Sequence, residues 1–433
     1  MISDSEFIEA ELSRCNKCGY CMQSCPVYRA VRREPSVARG RIRTLRAVTE
    51  GDSDLTRPMI EPFFECLLCG ACTVACFGSV QTKELMVRAR QAYQAKYSQP
   101  TIQRYIFHKL LPNPGRLTQL VRLASLGKRT GLSNVARRLG LLRWLSPTLD
   151  AAEGLVATMP GAFLRDRLPS IGFTTVAQSD TTIRRLEPEQ PTGPKVLYFI
   201  GCGTNFQLPQ TGEAGIRLLQ KAGCQVTVAP NNCCGLPPWS YGDIEAAQHL
   251  ARQNLDLLES LDFDLLVTEC GSCSSFLKHY AELLPNDSQA EALVERTRDI
   301  IELLAELSLP PPITKGTTVT YHDPCHLGRE QEITEQPRKL LVDVGGFELV
   351  EMAEANWCCG GAGSYNLSHP EMSQQVLARK LDHIAETGAE MVTTACPACI
   401  IQLDYGVRSR GWQRPVRHVV ELLAERHGLS VGS

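Results

Sequence analysis

The stretch NWCCGGAGSYN, Asn356 to Asn366, sets two thiols side by side, and NNCCGLPPW, Asn231 to Trp239, does so earlier in the chain. Working outward from each pair, the chain runs twice through one succession. KVLYFIGC ends at Cys202 and TVTYHDPC at Cys325, each an apolar, β-rich run that closes on cysteine. Helix patterns follow, GEAGIRLLQKAG and TEQPRKLLVDVG, and then short strands, CQVTVAP and FELVEM, lead into the Cys-Cys pairs. Next come the helical stretches IEAAQHLARQNLDLLESL and EMSQQVLARKLDHIAET. The second is expected to open on a capping box of Ser368 with Glu371 and to stop at Gly388. Third strands, FDLLVTEC and AEMVTTAC, reach Cys270 and Cys396, and each opens a C-x-x-C completed by Cys273 or Cys399.

The offsets are 123 residues from Cys202 to Cys325, 125 from Cys233 to Cys358 and 126 from Cys273 to Cys399. The C-terminal half is therefore an internal duplication of an α/β unit. Parallel strands joined by crossover helices bring all strand carboxyl ends to one edge, where α/β folds bind ligands. Each repeat thereby gathers five cysteines: Cys202, Cys233, Cys234, Cys270 and Cys273, and then Cys325, Cys358, Cys359, Cys396 and Cys399. One zinc or one regular cubane takes four thiolates. Five, two of them adjacent, imply a larger or distorted cluster in which one sulfur bridges irons or sits on a separated iron. Of the 19 cysteines, Cys224 alone stands outside every pattern and reads as a buried core thiol.

The remaining eight lie near the start. CNKCGYCMQSCP places Cys15, Cys18, Cys21 and Cys25 in a C-x2-C-x2-C-x3-C-P run, and CLLCGACTVACF repeats it with Cys66, Cys69, Cys72 and Cys76, Phe77 replacing the proline. This is the ligand run of two-cluster [4Fe–4S] ferredoxins, in which the fourth cysteine of each run serves the other cluster. The expected sets are Cys15, Cys18, Cys21 and Cys76 for one cubane and Cys66, Cys69, Cys72 and Cys25 for the other. Structural zinc uses two separated pairs and fits poorly. The insert between the runs contains VARGRIRTLRAVTEG, a basic helix ending at Gly51, so this ferredoxin domain is expected to be α-helical, similar to that of succinate dehydrogenase iron–sulfur subunits.

Composition sets the frame. The chain has 433 residues, 43% hydrophobic and 21% charged, with a net charge of −2, which argues against nucleic acid as partner. The acidic start MISDSEFIEAELSRCNKCGY lacks a signal-peptide core. A reducing, cytoplasmic location is expected, where clustered cysteines mean metal rather than disulfides. Between Gln91 and Asp150 stand ten Lys or Arg and one acidic residue, Asp150 itself. RLTQLVRLASLGKR and NVARRLGLLRWL space apolar residues helically among these arginines. Such helices lie on anionic membrane surfaces or acidic partners, or present an ordinary solvated face. Residues 151–193 read as loop, closing in the linker EPEQPTGP. The expected architecture is a multidomain α/β protein: a two-cluster ferredoxin-like domain over 1–90, a basic helical bridge and linker over 91–193, and two repeats over 194–314 and 315–433.

The spacings C-x30-CCG-x34-C-x2-C and C-x32-CCG-x35-C-x2-C resemble the CCG domain of heterodisulfide reductase B-type subunits. Fused to a twin-cluster ferredoxin, they resemble the D-type heterodisulfide reductase subunit and the iron–sulfur subunits of glycolate oxidase, anaerobic glycerol-3-phosphate dehydrogenase and D-lactate dehydrogenase. RGRIRTLRAV and CCGGAGSYNLSHPEM look most similar to the glycolate oxidase branch. The resemblance implies two cubanes, up to two noncubane [4Fe–4S] clusters held by the five-cysteine sets, and an FAD-containing dehydrogenase partner that passes electrons to a quinone or another carrier, with a peripheral place at the inner face of the membrane. No flavin fingerprint is visible, so no flavin is expected on this chain. The second implied function is a disulfide reductase acting at paired noncubane clusters. A third, non-redox reading makes the repeats zinc-stabilised interaction modules.

Other residues beside the cysteines carry less decisive readings. His322 and His326 bracket Cys325, as donors to cluster sulfur, proton carriers, or strand-end histidines bonded to backbone. Gly360, Gly361 and Gly363 fit a tight turn that points backbone N–H groups at sulfur better than a phosphate loop. Trp239 and Trp357 read as apolar walls beside the paired cysteines.

Overall fold

The computed structural model describes residues 5–178, 181–310, 312–314 and 316–432. The N-terminal region is helical, and its helix Ala38–Thr49 is the basic segment expected between the two cysteine runs. It turns Ile42 and Leu45 into a core with Ile8, Leu12, Phe63, Leu85 and Met86. Its close approach to the preceding turn depends on Gly40, where a Cβ would stand 2.0 Å from the Glu34 carbonyl oxygen.

Two sheets follow. The first contains β1 (Thr174–Gln178), β2 (Thr181–Leu186), β3 (Lys195–Tyr198), β4 (Gln225–Val228), β5 (Leu265–Thr268) and β6 (Thr297–Asp299), in the order β1-β2-β4-β3-β5-β6. The second contains β7 (Thr318–His322), β8 (Glu348–Leu349), β9 (Met391–Thr394) and β10 (Val416–His418), in the order β10-β9-β7-β8. The parallel order β4-β3-β5-β6 thus repeats as β8-β7-β9-β10. Each repeat has a fourth strand, TRD or VRH, too short to show a pattern in sequence. Residues 151–193 are not a loop. They hold the helix Leu164–Ile171 and the antiparallel pair β1–β2, which adds to the first sheet through β2 on β4. The capping box is also overturned: Ser368 closes a short helix, the long helix begins at Pro370 with His369 as N-cap, and Gly388 ends it in the left-handed region, as expected.

The repeats face each other about an approximate two-fold axis. Helix Pro209–Lys221 of the first packs on Val419–Arg426 of the second, and the equivalent segment Glu335–Val344 packs on Ile300–Glu306. The helices that carry cysteine cross over in the same way, Cys202–Phe206 against Pro397–Ser409 and Cys325–Gly328 against Gly271–Lys278. The carboxyl ends of both parallel sheets therefore point at the same seam.

The ferredoxin-like domain sits over that seam. Arg90 Nη2 donates to Phe63 O and Cys66 O, both at 2.7 Å, while Nη1 donates to Ser240 O. Arg329 Nη1 donates to Cys69 O at 3.2 Å, and the Tyr365 hydroxyl to Glu65 O at 2.9 Å. Gly242, at φ +89°, lets the first repeat come close to this domain: a Cβ there would stand 2.5 Å from Gln91 N. Gly242→Ala is expected to cost about 2 kcal/mol or more, because left-handed strain and the clash add. A lowered thermal melting midpoint checks it.

The bridge comprises helices Thr101–Tyr105, Pro114–Arg129, Leu132–Arg138, Leu141–Leu145 and Pro147–Leu155, with a π-turn at Ile106–Leu110. His108 Nε2 meets Asp243 Oδ2 at 2.9 Å and anchors it to the first repeat. Its leucines do not all face inward: Leu123, Leu126, Leu132, Leu139 and Leu145 are exposed, and Trp144 is 85% exposed. No described helix is long and apolar enough to cross a membrane.

Candidate metal centres

In the ferredoxin-like domain, Cys15 and Cys18 lie close enough to Cys21 to act on its thiol. Gly78 presses against Arg14 O and lies beside Cys76 Sγ, so the tail of the second run reaches the first. The converse is plainer. Cys25, Cys66, Cys69 and Cys72 line one cavity of about 370 Å³, together with Arg41. Arg41 is 2% exposed; its Nε donates to Pro62 O at 2.6 Å, and its Nη2 has no partner among the described residues. Burial opposes its charge, but Cys66, Cys25 and Cys72 outweigh burial and raise its pKa. A buried cation with a spare N–H beside four thiols suits an electron-rich, sulfide-bearing cluster, whose acceptors would satisfy that donor.

From Cys69 the thiols form a continuous row. The Cys69 thiol lies close enough to Cys358 for the two to interact, and Cys358 is likewise beside Cys325 and Cys359. Cys359 Sγ is 3.6 Å from Cys399 Sγ, and Cys399 meets Cys396. Cys396 meets Cys270, its own counterpart in the duplication, so this pair lies at the two-fold seam. The row continues through Cys273, Cys234 and Cys233 to Cys202. Neighbouring thiols, and then burial, hold Cys273 and Cys399 well above the usual thiol range, while neighbouring thiols hold Cys234 and Cys359 well below it.

The surroundings are built for sulfur. Gly360 N donates to Cys358 Sγ at 3.4 Å in the turn that Gly360 makes at φ +84°. Gly201 leaves room for Cys273 Sγ, 3.3 Å from where its Cβ would be. Tyr280 donates to Cys234 O at 2.7 Å and Asn254 to Cys233 O at 3.0 Å, fixing the first Cys-Cys pair. Trp239 and Trp357 are buried walls, 3% and 6% exposed. His326 is not a backbone-bonded strand end: Nδ1 meets Ser272 Oγ at 2.9 Å, and Ser272 Oγ meets Cys396 Sγ at 3.4 Å. Cys224 is fully buried in the first repeat's core, and burial pushes its thiol up to about 11. A cleft of about 630 Å³ opens beside Cys66, walled by Phe64, Trp239, Tyr241 and Tyr365. Helix Pro147–Leu155 packs on Tyr365–Ser368 at its rim.

Sequence reading missed Arg41, Ser272 and Asn254. Arg41 is one of many arginines on a basic helix, and nothing local distinguishes the one that turns inward.

Comparison with known proteins agrees along the chain. Profiles match for a cysteine-rich domain at residues 196–278 and 319–404, a 4Fe-4S dicluster domain at 11–80, and the linker region of glycolate oxidase iron-sulfur subunits at 98–156. The chain is 32% identical to the probable glycolate oxidase iron-sulfur subunit of Bacillus subtilis, over 97% of this chain and 95% of that one. It is 28% identical to the glycolate oxidase iron-sulfur subunit of Escherichia coli, over 98% and 97%. To the D-type subunit of the dihydromethanophenazine:CoB–CoM heterodisulfide reductase of Methanosarcina acetivorans it is 25% identical, over 97% and 95%.

Proposed function

The chain belongs to the glycolate oxidase iron–sulfur subunit family, and we propose that it carries electrons from an FAD-containing partner, which oxidises a 2-hydroxy acid such as glycolate or D-lactate, to a quinone or another carrier. The observation that carries this reading is the unbroken row of thiols from Cys69 to Cys202. Cys15, Cys18, Cys21 and Cys76 would hold one cubane and Cys66, Cys69, Cys72 and Cys25 the other. Cys202, Cys233, Cys234, Cys270 and Cys273 would hold one noncubane cluster, and Cys325, Cys358, Cys359, Cys396 and Cys399 the second. Bound there, iron–sulfur clusters supply reversible one-electron transfer. The chain's own residues keep the thiols adjacent, aim Gly360 N and Arg41 at sulfur, and exclude water with Trp239 and Trp357. Hydride removal from the hydroxy acid belongs to the flavin of the partner.

The reading is tested by anaerobic co-purification with the flavoprotein, followed by flavin and iron analysis. A flavoprotein that reduces its acceptor at full rate without this chain overturns it.

The bridge supports a place on an anionic membrane surface. Its apolar side chains point outward beside exposed Arg138 and Arg143, a pattern of interfacial helices rather than of a plain solvated face. Arg137 is less free, since it pairs with Asp150 at 3.4 Å. A carrier drawn from such a surface would meet the chain at the cleft beside Cys66. Exchanging Arg138 and Arg143 for glutamate is expected to weaken binding to vesicles of phosphatidylglycerol at least about tenfold at low salt, at roughly 1 kcal/mol per basic side chain removed. Equal sedimentation of wild type and variant with the vesicles contradicts it.

A further inference from the structure

The two five-cysteine sites are built on one plan, and three of their differences share one electrostatic sense, while a fourth, Asp323 where the first repeat has Ile200, is paired by Arg338. In the second repeat β7 ends at His322; at the same place in KVLYFIGC, 123 residues earlier, stands Phe199. His322 is fully buried; its ring faces the Cys359 thiol, and neither ring nitrogen makes a well-formed hydrogen bond among the described residues. One ring nitrogen and the Sγ atoms of Cys359 and Cys399 all lie within 4.8 Å of one another. A buried imidazole whose only near partner is a thiol is poorly satisfied unless that sulfur becomes a strong acceptor. The thiolates and sulfides of a cluster are such acceptors.

A second difference lies 126 residues on from Asn254. Asn254 is neutral and serves the first Cys-Cys pair. Its counterpart Lys380 is equally buried and places its ammonium on Glu354 O at 2.6 Å and Ala355 O at 3.0 Å, just before Trp357 and the second pair. A third difference is Glu269, a fully buried carboxyl beside Cys270, where the second repeat has Ala395. Whether charged or neutral, Glu269 adds no cation to the first site.

We propose that His322 is a nitrogen partner of the cluster in the second repeat, donating its N–H to cluster sulfur at Cys359, and that with Lys380 it sets this cluster at a higher reduction potential than its twin. Donors and positive charge near cluster sulfur favour the reduced, more negative state. Phe199 offers neither. This rests on the reading that each five-cysteine set holds an iron–sulfur cluster. The second site is also the middle of the thiol row, next to Cys69 on one side and to Cys270 on the other. With such a difference in potential, an electron reaching the row from either end would come to rest in the middle.

The test uses full-length, anaerobically reconstituted protein and reads potentials by redox titration followed by electron paramagnetic resonance. Wild type is expected to show two CCG-site signals that titrate separately, one of them with nitrogen hyperfine coupling that changes when histidine is 15N-labelled. In His322→Phe that coupling is lost and the higher potential moves down toward its twin, with iron content unchanged. His322→Gln, which keeps an N–H donor, restores part of the shift. Phe199→His moves the lower potential up. Unchanged potentials and coupling in His322→Phe, at full iron content, overturn the proposal. Wild type that holds only the ferredoxin irons would instead show that the cluster reading itself is wrong.

Discussion

Anaerobically reconstituted full-length protein is expected to bind about sixteen irons, four for each of four clusters. Exchanging both Cys358 and Cys359 for alanine should remove about four of them and the signals of one site. The expectation follows from the geometry. Each five-cysteine set is gathered at strand ends, largely buried, and paired thiol to thiol. Ten thiols packed this way in a protein without disulfides gain little from one another. Metal is what compensates the loss of thiol hydration and proton release. A value near eight irons, unmoved by losing Cys358 and Cys359, would leave only the ferredoxin-like domain as a metal carrier and make the repeats scaffolds.

The second large effect separates conduit from catalyst. Cys69 is the thiol through which the ferredoxin-like domain meets the second repeat. In the complete complex, Cys69→Ala is expected to reduce electron delivery to the acceptor to background, while hydroxy-acid substrate still bleaches the partner's flavin. On the proposed function the two readouts dissociate, because the carbon chemistry would be done by the partner. In a disulfide reductase the reaction site would be the seam, where Cys270 meets Cys396 and both sets are complete. The isolated chain, reduced chemically, would then cleave a disulfide substrate and lose that ability in Cys234→Ala and Cys359→Ala. We expect no such turnover. Robust, cysteine-dependent disulfide reduction by the chain alone would establish the alternative.

Much of this was legible in the chain itself. The ferredoxin runs, the duplication and the helix between the runs are local patterns, because a cubane needs closely spaced thiolates and an α/β unit needs its strands and helices in fixed succession. Gly388 stops its helix where an αL residue is required, which is also a local rule. The capping box at Ser368 failed because His369 and Pro370 set the helix start one turn later than the side-chain pattern suggested. The strands Thr297–Asp299 and Val416–His418, and the hairpin β1–β2, were invisible. A three-residue strand is made by the neighbour it pairs with, not by its own alternation.

What the sequence by itself determined is the inventory: eight ferredoxin cysteines, two sets of five, and a basic stretch of helix. What only the tertiary structure decided is their order in space. That Cys69 abuts Cys358, that Cys270 faces Cys396, that Arg41 and His322 turn inward with spare nitrogens, and that the bridge leaves its leucines outside all depend on packing between segments far apart in the chain. Spacing along a chain encodes which thiols can share one cluster. The sequence of sites along an electron path is set by how whole domains bury their surfaces against one another, and no local pattern carries that.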